Sequence, residues 1–173
     1  MPYTLLVGGA RSGKSDLAGR MASTAGAPVV VLATAEARDA EMARRIAAHR
    51  ADRPDAWETI EEPVELIEAT AAVPPEVFVV VDCVTLWVAN LLACDDDEIV
   101  ARAARLGDVL AGRPGGGVVV TNEVGGGIVP ANAEARRFRD LLGRVNVALA
   151  DRADRACLVV AGRILDLERW DRP

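Results

Sequence analysis

Short runs of β-branched residues alternate along the chain with longer Ala- and Arg-rich stretches, in which apolar residues recur every three or four positions. The short runs predict strands, because continuous Val and Leu suit a strand that is buried on both faces. The longer stretches predict helices that cover those faces. Together they favour an α/β fold in which a mostly parallel sheet is flanked by helices.

The predicted strands are apolar and end at Gly, Pro or a polar residue; they cover Tyr3 to Val7, Pro28 to Ala33, Val77 to Asp82, Val118 to Thr121, Ala156 to Ala161 and a short run at Ile164 to Leu167. The predicted helices fill the gaps, at Gly13 to Ala25, Ala37 to Arg50, Pro63 to Ala71, Thr85 to Leu92, Ile99 to Ala111 and Asn132 to Ala150. The acidic run Asp95 to Glu98 suits the start of a helix, since carboxylates favour the positive end of the helix dipole.

Size and charge limit the classes of protein to consider. A chain of 173 residues with 51% hydrophobic content suits a single domain. A net charge of −6 argues against a general nucleic-acid binder, which needs a surplus of Lys and Arg. There is no basic leader and no apolar run of about 18 residues, and the three cysteines are scattered. We therefore expect a cytoplasmic protein without a membrane span.

One segment matches a phosphate-binding motif. Residues Gly8, Gly9, Ala10, Arg11, Ser12, Gly13, Lys14 and Ser15 fit the pattern G-x-x-x-x-G-K-[ST] between a predicted strand and a predicted helix. In such a loop the backbone amides converge on phosphate oxygens, the lysine reaches the β and γ phosphates, and the serine hydroxyl binds Mg²⁺. Lys14 is the chain's single lysine beside nineteen arginines. The motif predicts a P-loop NTPase-like fold.

The strand that ends at Asp82 has the form of a Walker B strand, whose carboxylate holds the Mg²⁺ shell. Asp82 and Ser15 are therefore the candidate metal ligands. The alternative is that Asp82 caps the following helix, as aspartates often do.

Two further positions have both a functional and a structural interpretation. His49, the only histidine, ends an arginine-rich helix (Arg38, Arg44, Arg45 and Arg50, with Arg53 beyond it). It is either a solvent-facing residue at a helix C-terminus or a nucleophile toward an α-phosphate. Glu123 begins a Gly-rich segment after a predicted strand, and is either a metal-shell or general-base carboxylate or part of a long turn.

Several clusters resemble the bifunctional adenosylcobinamide kinase and adenosylcobinamide-phosphate guanylyltransferase family, and the resemblance covers nearly the whole chain. The clusters are Gly8 to Ser15; Ala33-Thr34-Ala35; Glu41-Met42 and Arg45-Ile46 before His49; Arg53-Pro54 with Trp57; Asp82-Cys83 with Thr85-Leu86-Trp87 and Asn90-Leu91-Leu92; Asn122 to Gly125 with Gly127 to Pro130; and Arg136 to Asp140 with Gly143 to Asn146. Residues 62–76 and 95–111 carry no family motif.

The resemblance implies a two-step enzyme. It phosphorylates adenosylcobinamide with ATP or GTP, and then transfers GMP from GTP to the product through a guanylylated histidine, whose position here is His49. Lys14 would be the second catalytic residue. The remaining nucleotide contacts implied are Thr34, Ala35, Glu36, Asp52, Arg53, Pro54, Asp55, Glu61 and Asp82. The family also suggests a homotrimer and a corrinoid substrate.

Two other functions remain open from the residues alone. One is a P-loop small-molecule kinase without guanylyl transfer, in which His49 would have no covalent role. The other is a nucleotide-dependent regulatory switch that binds a partner protein. Neither would form a covalent bond between His49 and GMP.

Overall fold

The computed structural model describes residues 3–37 and 39–169. Its strands are β1 (Tyr3–Gly8), β2 (Val29–Ala33), β3 (Glu58–Glu61), β4 (Phe78–Asp82), β5 (Gly117–Asn122), β6 (Arg155–Val160) and β7 (Arg163–Leu167). Its helices are α1 (Lys14–Thr24), α2 (Ala40–Ala51), α3 (Leu66–Ala72), α4 (Val84–Asn90), α5 (Asp96–Ala111) and α6 (Ala133–Ala150).

The seven strands form one sheet in the order β3-β2-β4-β5-β1-β6-β7. All neighbours pair in parallel except β6 and β7, which form an antiparallel hairpin. The carboxyl ends of the parallel strands therefore meet at one edge, where open α/β sheets bind their ligands. The mostly parallel α/β fold expected from the sequence is confirmed.

Alternate residues of the central strands enter two apolar cores, one on each face of the sheet, as the two-residue period of a strand requires. On one face, Leu5, Val79 and Val119 pack with residues of α3, α4, α5 and α6. On the other, Leu6 and Val80 pack with Ala18 and Ala22 of α1. The β-branched runs read as strands are thus buried on both faces.

One strand was missing from the prediction. The segment Glu58–Glu61 forms β3 beside β2, although its sequence Glu-Thr-Ile-Glu is short and polar at both ends. It lies at the sheet edge and none of its residues is buried, so the chain has no apolar run there to reveal it.

The predicted helices are confirmed, with small shifts at their ends. Helix α2 begins at Ala40, because the Asp39 side chain accepts a hydrogen bond from the Met42 amide and caps it there. Arg38, expected inside this helix, lies outside the described residues. Helix α5 begins at Asp96 with Asp95 as its cap, which confirms that the acidic run starts a helix.

Candidate active site

The loop between β1 and α1 has a backbone that depends on its glycines. Gly13 has a φ of +100°, which side-chain-bearing residues rarely adopt. At Gly8, a Cβ atom would lie 2.3 Å from the carbonyl oxygen of Val159 on β6. The turn between β6 and β7 also holds this loop, since the Gly162 amide donates a hydrogen bond to the Ser12 carbonyl at 2.9 Å. The amides at the start of α1 are thereby presented to a ligand, as anion binding at a helix N-terminus requires.

The Lys14 ammonium is buried within this loop, and its side chain is part of the site's wall. Nζ donates hydrogen bonds to the carbonyl oxygens of Gly8 at 2.8 Å and Gly9 at 2.7 Å, with Ser12 Oγ at 3.4 Å. Burial lowers the pKa of Lys14 from its ordinary value, because desolvation disfavours the charged form. A phosphate group next to Nζ would offset that cost.

A cavity of about 680 Å³ opens over this loop, a size that suits a nucleotide-sized ligand. Its wall combines the P-loop, the carboxyl ends of β2, β4 and β5, and one side of α2. The lining residues include Ala10 to Asp16, Ala35, Met42, Arg45, Ile46, His49, Arg50, Arg53, Thr59, Glu61, Asp82, Cys83, Leu86 and Asn122.

His49 lines the same cavity as the P-loop, although the two lie on different elements. It sits in the last turn of α2, where Met42, Arg45, Ile46 and His49 recur at the spacing of one helical face. This places an imidazole and two guanidiniums, those of Arg45 and Arg50, on the wall of a phosphate-binding cavity. The arrangement fits the nucleophile interpretation of His49.

Asp82, at the end of β4, is ion-paired in this structure. Its Oδ2 accepts a hydrogen bond from Arg53 Nη2 at 2.9 Å, and Arg53 Nη1 donates to Thr59 Oγ1 at 3.3 Å. Asp82 does not cap α4; Cys83 is the N-cap residue there and has no side-chain capping bond. The predicted alternative, that Asp82 only caps the next helix, is therefore wrong.

Mg²⁺ would fit the oxygen donors of this site. Ser15 and Asp82 both line the cavity, and a protein hydroxyl plus one carboxylate, completed by phosphates and water, is the usual set for this ion. Residues 3–37 and 39–169 contain no group of three His, Cys, Asp or Glu side chains placed to hold a metal, this site included.

Of the other predicted nucleotide contacts, two line the cavity, one is fully buried, and four are exposed outside the lining. Ala35 and Glu61 line the cavity, and Glu61 pairs with Arg50 at 3.5 Å. Thr34 is fully buried, and its hydroxyl bridges the backbone oxygen and nitrogen of Cys83 at 2.7 and 3.0 Å. Outside the lining lie Glu36, Asp52, Pro54 and Asp55, all exposed. Their assignment as contacts stays a prediction.

Several lining residues were not assigned to the site from the sequence, among them Thr59, Cys83 and Asn122. Thr59 lies on the unpredicted β3, so no pattern indicated it. Cys83 and Asn122 follow or end predicted strands, and that position at the carboxyl edge was the available clue. Burial raises the pKa of the Cys83 thiol, which makes it a weak nucleophile.

Glu123 lies outside the cavity lining and is exposed. Its carboxylate accepts a hydrogen bond from the Gly125 amide, and its own amide donates to the Gly8 carbonyl at 3.0 Å. The contacts are those of a turn that ties the Gly-rich segment to the P-loop.

Solved structures support the fold. The chain superposes on an ATPase of the type III secretion system of pathogenic bacteria with a TM-score of 0.56 and 15% identity, covering 91% of this chain and 50% of that one. It superposes on a Pyrococcus horikoshii protein of structural study PH0250 with a TM-score of 0.57 and 10% identity, covering 95% and 85%. Every helix in the described residues is too short or too polar to cross a membrane.

Similarity to characterised sequences is much closer. The bifunctional adenosylcobalamin biosynthesis protein CobP of Pseudomonas aeruginosa is 45% identical over 167 residues, or 95% of this chain and 96% of that protein. The bifunctional adenosylcobalamin biosynthesis protein CobU of Escherichia coli is 42% identical, covering 91% and 95%. A family model described as cobinamide kinase / cobinamide phosphate guanyltransferase matches residues 4–167. This chain therefore belongs to the cobinamide kinase / cobinamide phosphate guanyltransferase family.

Proposed function

We propose that this protein phosphorylates adenosylcobinamide with ATP or GTP, and then transfers GMP from GTP to adenosylcobinamide phosphate through guanylylated His49. The observation that carries the proposal is the joint presence of the P-loop and His49 on the wall of one cavity. A kinase alone needs the P-loop but has no use for a nucleophilic histidine in the same cavity. Family membership supplies the two activities and the substrate class.

In the kinase step, the P-loop amides and Lys14 bind the phosphates of the nucleotide. The acceptor hydroxyl of the corrinoid attacks the γ-phosphorus, the bond from that phosphorus to the β-γ bridging oxygen breaks, and the hydroxyl proton leaves to solvent. Lys14 stabilises the charge that develops on the departing nucleoside diphosphate. Mg²⁺, held by Ser15 and Asp82, would add positive charge at the phosphates when bound.

In the guanylyl step, an imidazole nitrogen of His49 attacks the α-phosphorus of GTP. An N–P bond forms as the bond to the pyrophosphate oxygen breaks, and pyrophosphate leaves. A phosphate oxygen of the phosphorylated corrinoid then attacks the same phosphorus, which breaks the N–P bond and frees His49. Arg45 and Arg50, on the same wall, are placed to balance the negative charge.

The remaining expectations belong to the same proposal. The protein would act in the cytoplasm as a homotrimer. The net charge of −6 requires that its anionic ligands be held locally, and the P-loop with its neighbouring arginines provides such a place.

The test is incubation with GTP labelled at the α-phosphate in the presence of Mg²⁺, followed by denaturation. We expect label on the protein that is lost in acid and kept in base, as a phosphoramidate would be. His49→Ala should take up none but should still phosphorylate adenosylcobinamide.

A wild-type protein that binds GTP without becoming labelled would contradict guanylyl transfer and leave a simple P-loop kinase. Wild-type guanylyl transfer in His49→Ala would contradict the role of this residue while retaining the activity. If neither phosphorylation nor labelling occurs with active corrinoid substrate, the whole proposal fails.

A further inference from the structure

Helix α2 carries His49 but is held weakly by packing. None of its residues from Ala40 to Ala51 is buried. A helix normally takes its position from a buried apolar face, and α2 has none. Contacts just beyond the helix therefore contribute to the position of His49 on the cavity wall.

Arg53 makes those contacts, two residues after the helix ends. Its guanidinium spans two strands, with Nη2 2.9 Å from Asp82 Oδ2 on β4 and Nη1 3.3 Å from Thr59 Oγ1 on β3. The Arg53 and Asp82 side chains are only 15% and 24% exposed, so the pair is partly shielded from solvent. Because both terminal nitrogens of the planar guanidinium are hydrogen-bonded, its orientation is fixed as well as its distance from the two strands.

Two other contacts near His49 in the described residues are weaker or lie farther along the chain. The Arg50–Glu61 pair is 3.5 Å long and its side chains are 66% and 61% exposed, so it contributes little. Trp57 packs against the core, but it anchors the entry to β3 four residues beyond Arg53.

We propose that Arg53 is a positioning residue for guanylyl transfer. Its guanidinium, hydrogen-bonded to Asp82 and Thr59, fixes the C-terminal end of α2 and so orients His49 toward the α-phosphate. The inference rests on the proposed function, since it concerns the rate at which His49 is guanylylated. It goes beyond the family-based expectation that Arg53 contacts the nucleotide: Arg53 lines the cavity, and both of its terminal nitrogens also donate to protein acceptors.

Thr59 offers the cleanest test, because it is neither a candidate metal ligand nor a candidate nucleophile. Thr59→Val removes the hydroxyl at nearly constant shape, and Thr59→Ser restores it. Arg53→Lys keeps the charge but loses the fork. Thr24→Val is the matched control, since Thr24 is exposed at the end of α1 and its hydroxyl donates to the carbonyls of Arg20 and Met21 in its own helix.

The measurement is the single-turnover rate of His49 labelling over a range of GTP concentrations, with the kinase rate measured beside it. We expect Thr59→Val and Arg53→Lys to lower the saturating labelling rate about tenfold or more, since small misplacements of a nucleophile have such effects. The GTP concentration at half-maximal rate should stay within about twofold. Thr59→Ser and Thr24→Val should label like wild type.

Three results would overturn the proposal. Wild-type labelling rates in both Thr59→Val and Arg53→Lys would show that the fork does not aim His49. A higher half-maximal GTP concentration with an unchanged saturating rate would make Arg53 a nucleotide contact. Equal losses of labelling and phosphorylation, with a lowered unfolding midpoint, would indicate a general structural role. Absence of label in the wild type itself would instead refute the proposed guanylyl transfer, and with it any aiming role.

Discussion

The side-chain nitrogen of Lys14 donates a hydrogen bond to the carbonyl oxygen of Gly8 at 2.8 Å, so the ammonium folds back across the loop that carries it. A second bond to Gly9 at 2.7 Å leaves the charge facing the cavity wall that would receive phosphates. The carbonyl oxygens of the loop thus hold the lysine in this position.

Lys14→Ala should weaken nucleotide binding by about tenfold or more and lower the phosphorylation rate further, because the charge near the transferred group is lost. Lys14→Arg should not restore either, since a guanidinium does not fit the place of a compact ammonium. Calorimetric titration and a kinase assay measure the two effects. Wild-type rates in Lys14→Ala would contradict the P-loop assignment.

The same lysine predicts a pH dependence of binding. Burial lowers the pKa of Lys14 in the free protein, whereas phosphates would raise it again. As pH rises through the free-protein pKa, nucleotide must bind with uptake of a proton, and its affinity should fall. Titrations at increasing pH in buffers of different ionisation enthalpy detect that proton uptake. Lys14→Ala should lack this part of the pH dependence.

The strands of the sheet and the contacts of the site could be predicted from the sequence to different extents. The buried strands were predictable because β1, β2, β4 and β5 are continuous apolar runs. The P-loop was predictable because its chemistry needs particular residues at fixed spacing. Strand β3 was not, since it is short, polar and held by pairing with β2. The Arg53–Asp82 pair joins residues 29 positions apart, and no local pattern can specify such a contact.

A buried side-chain bridge supports the end of β5. Thr121 Oγ1 donates to Asn146 Oδ1 at 2.7 Å, and Asn146 Nδ2 donates to the Asn122 carbonyl at 3.0 Å. Asn146→Leu leaves these partners unsatisfied and should lower the free energy of unfolding by about 1–3 kcal/mol. In a double-mutant cycle, Thr121→Val with Asn146→Leu should lose less than the sum of the single losses. Urea unfolding measures each value, and simple additivity would contradict the bridge.

Arg113 is a buried arginine that joins the end of α3 to the segment leading into β4. It is 6% exposed, and its guanidinium donates to the carbonyl oxygens of Thr70, Val73, Pro74 and Val77 at 2.7–3.1 Å. Arg113→Met should lower the free energy of unfolding by about 3 kcal/mol or more, because charge-assisted bonds are lost and the carbonyls stay buried. Arg105→Ala, an exposed change on α5, should alter it by less than about 0.5 kcal/mol. Similar urea midpoints for the two variants would contradict this.

Cys157 predicts how stability changes at alkaline pH. Its thiol is buried on β6 and donates to Asp166 Oδ1 at 3.2 Å. Burial raises its pKa from an ordinary 9.0 to about 11. Between these two pH values the folded protein keeps the thiol proton that the unfolded chain releases. The contribution of this thiol to the free energy of unfolding is therefore complete below pH 9 and is lost as pH rises toward 11.

The contribution of the Cys157 thiol to the free energy of unfolding is about 2–3 kcal/mol at most, since one pH unit corresponds to about 1.4 kcal/mol. Burial also raises the pKa of Tyr3, so the effect must be read as the difference between wild type and Cys157→Ala. Urea unfolding between pH 8 and pH 11 should show a shallower loss of stability in Cys157→Ala, whatever its stability at neutral pH. Parallel curves for wild type and Cys157→Ala would mean that this thiol has the same pKa in the folded and unfolded states. That result would contradict the pKa rise caused by its burial.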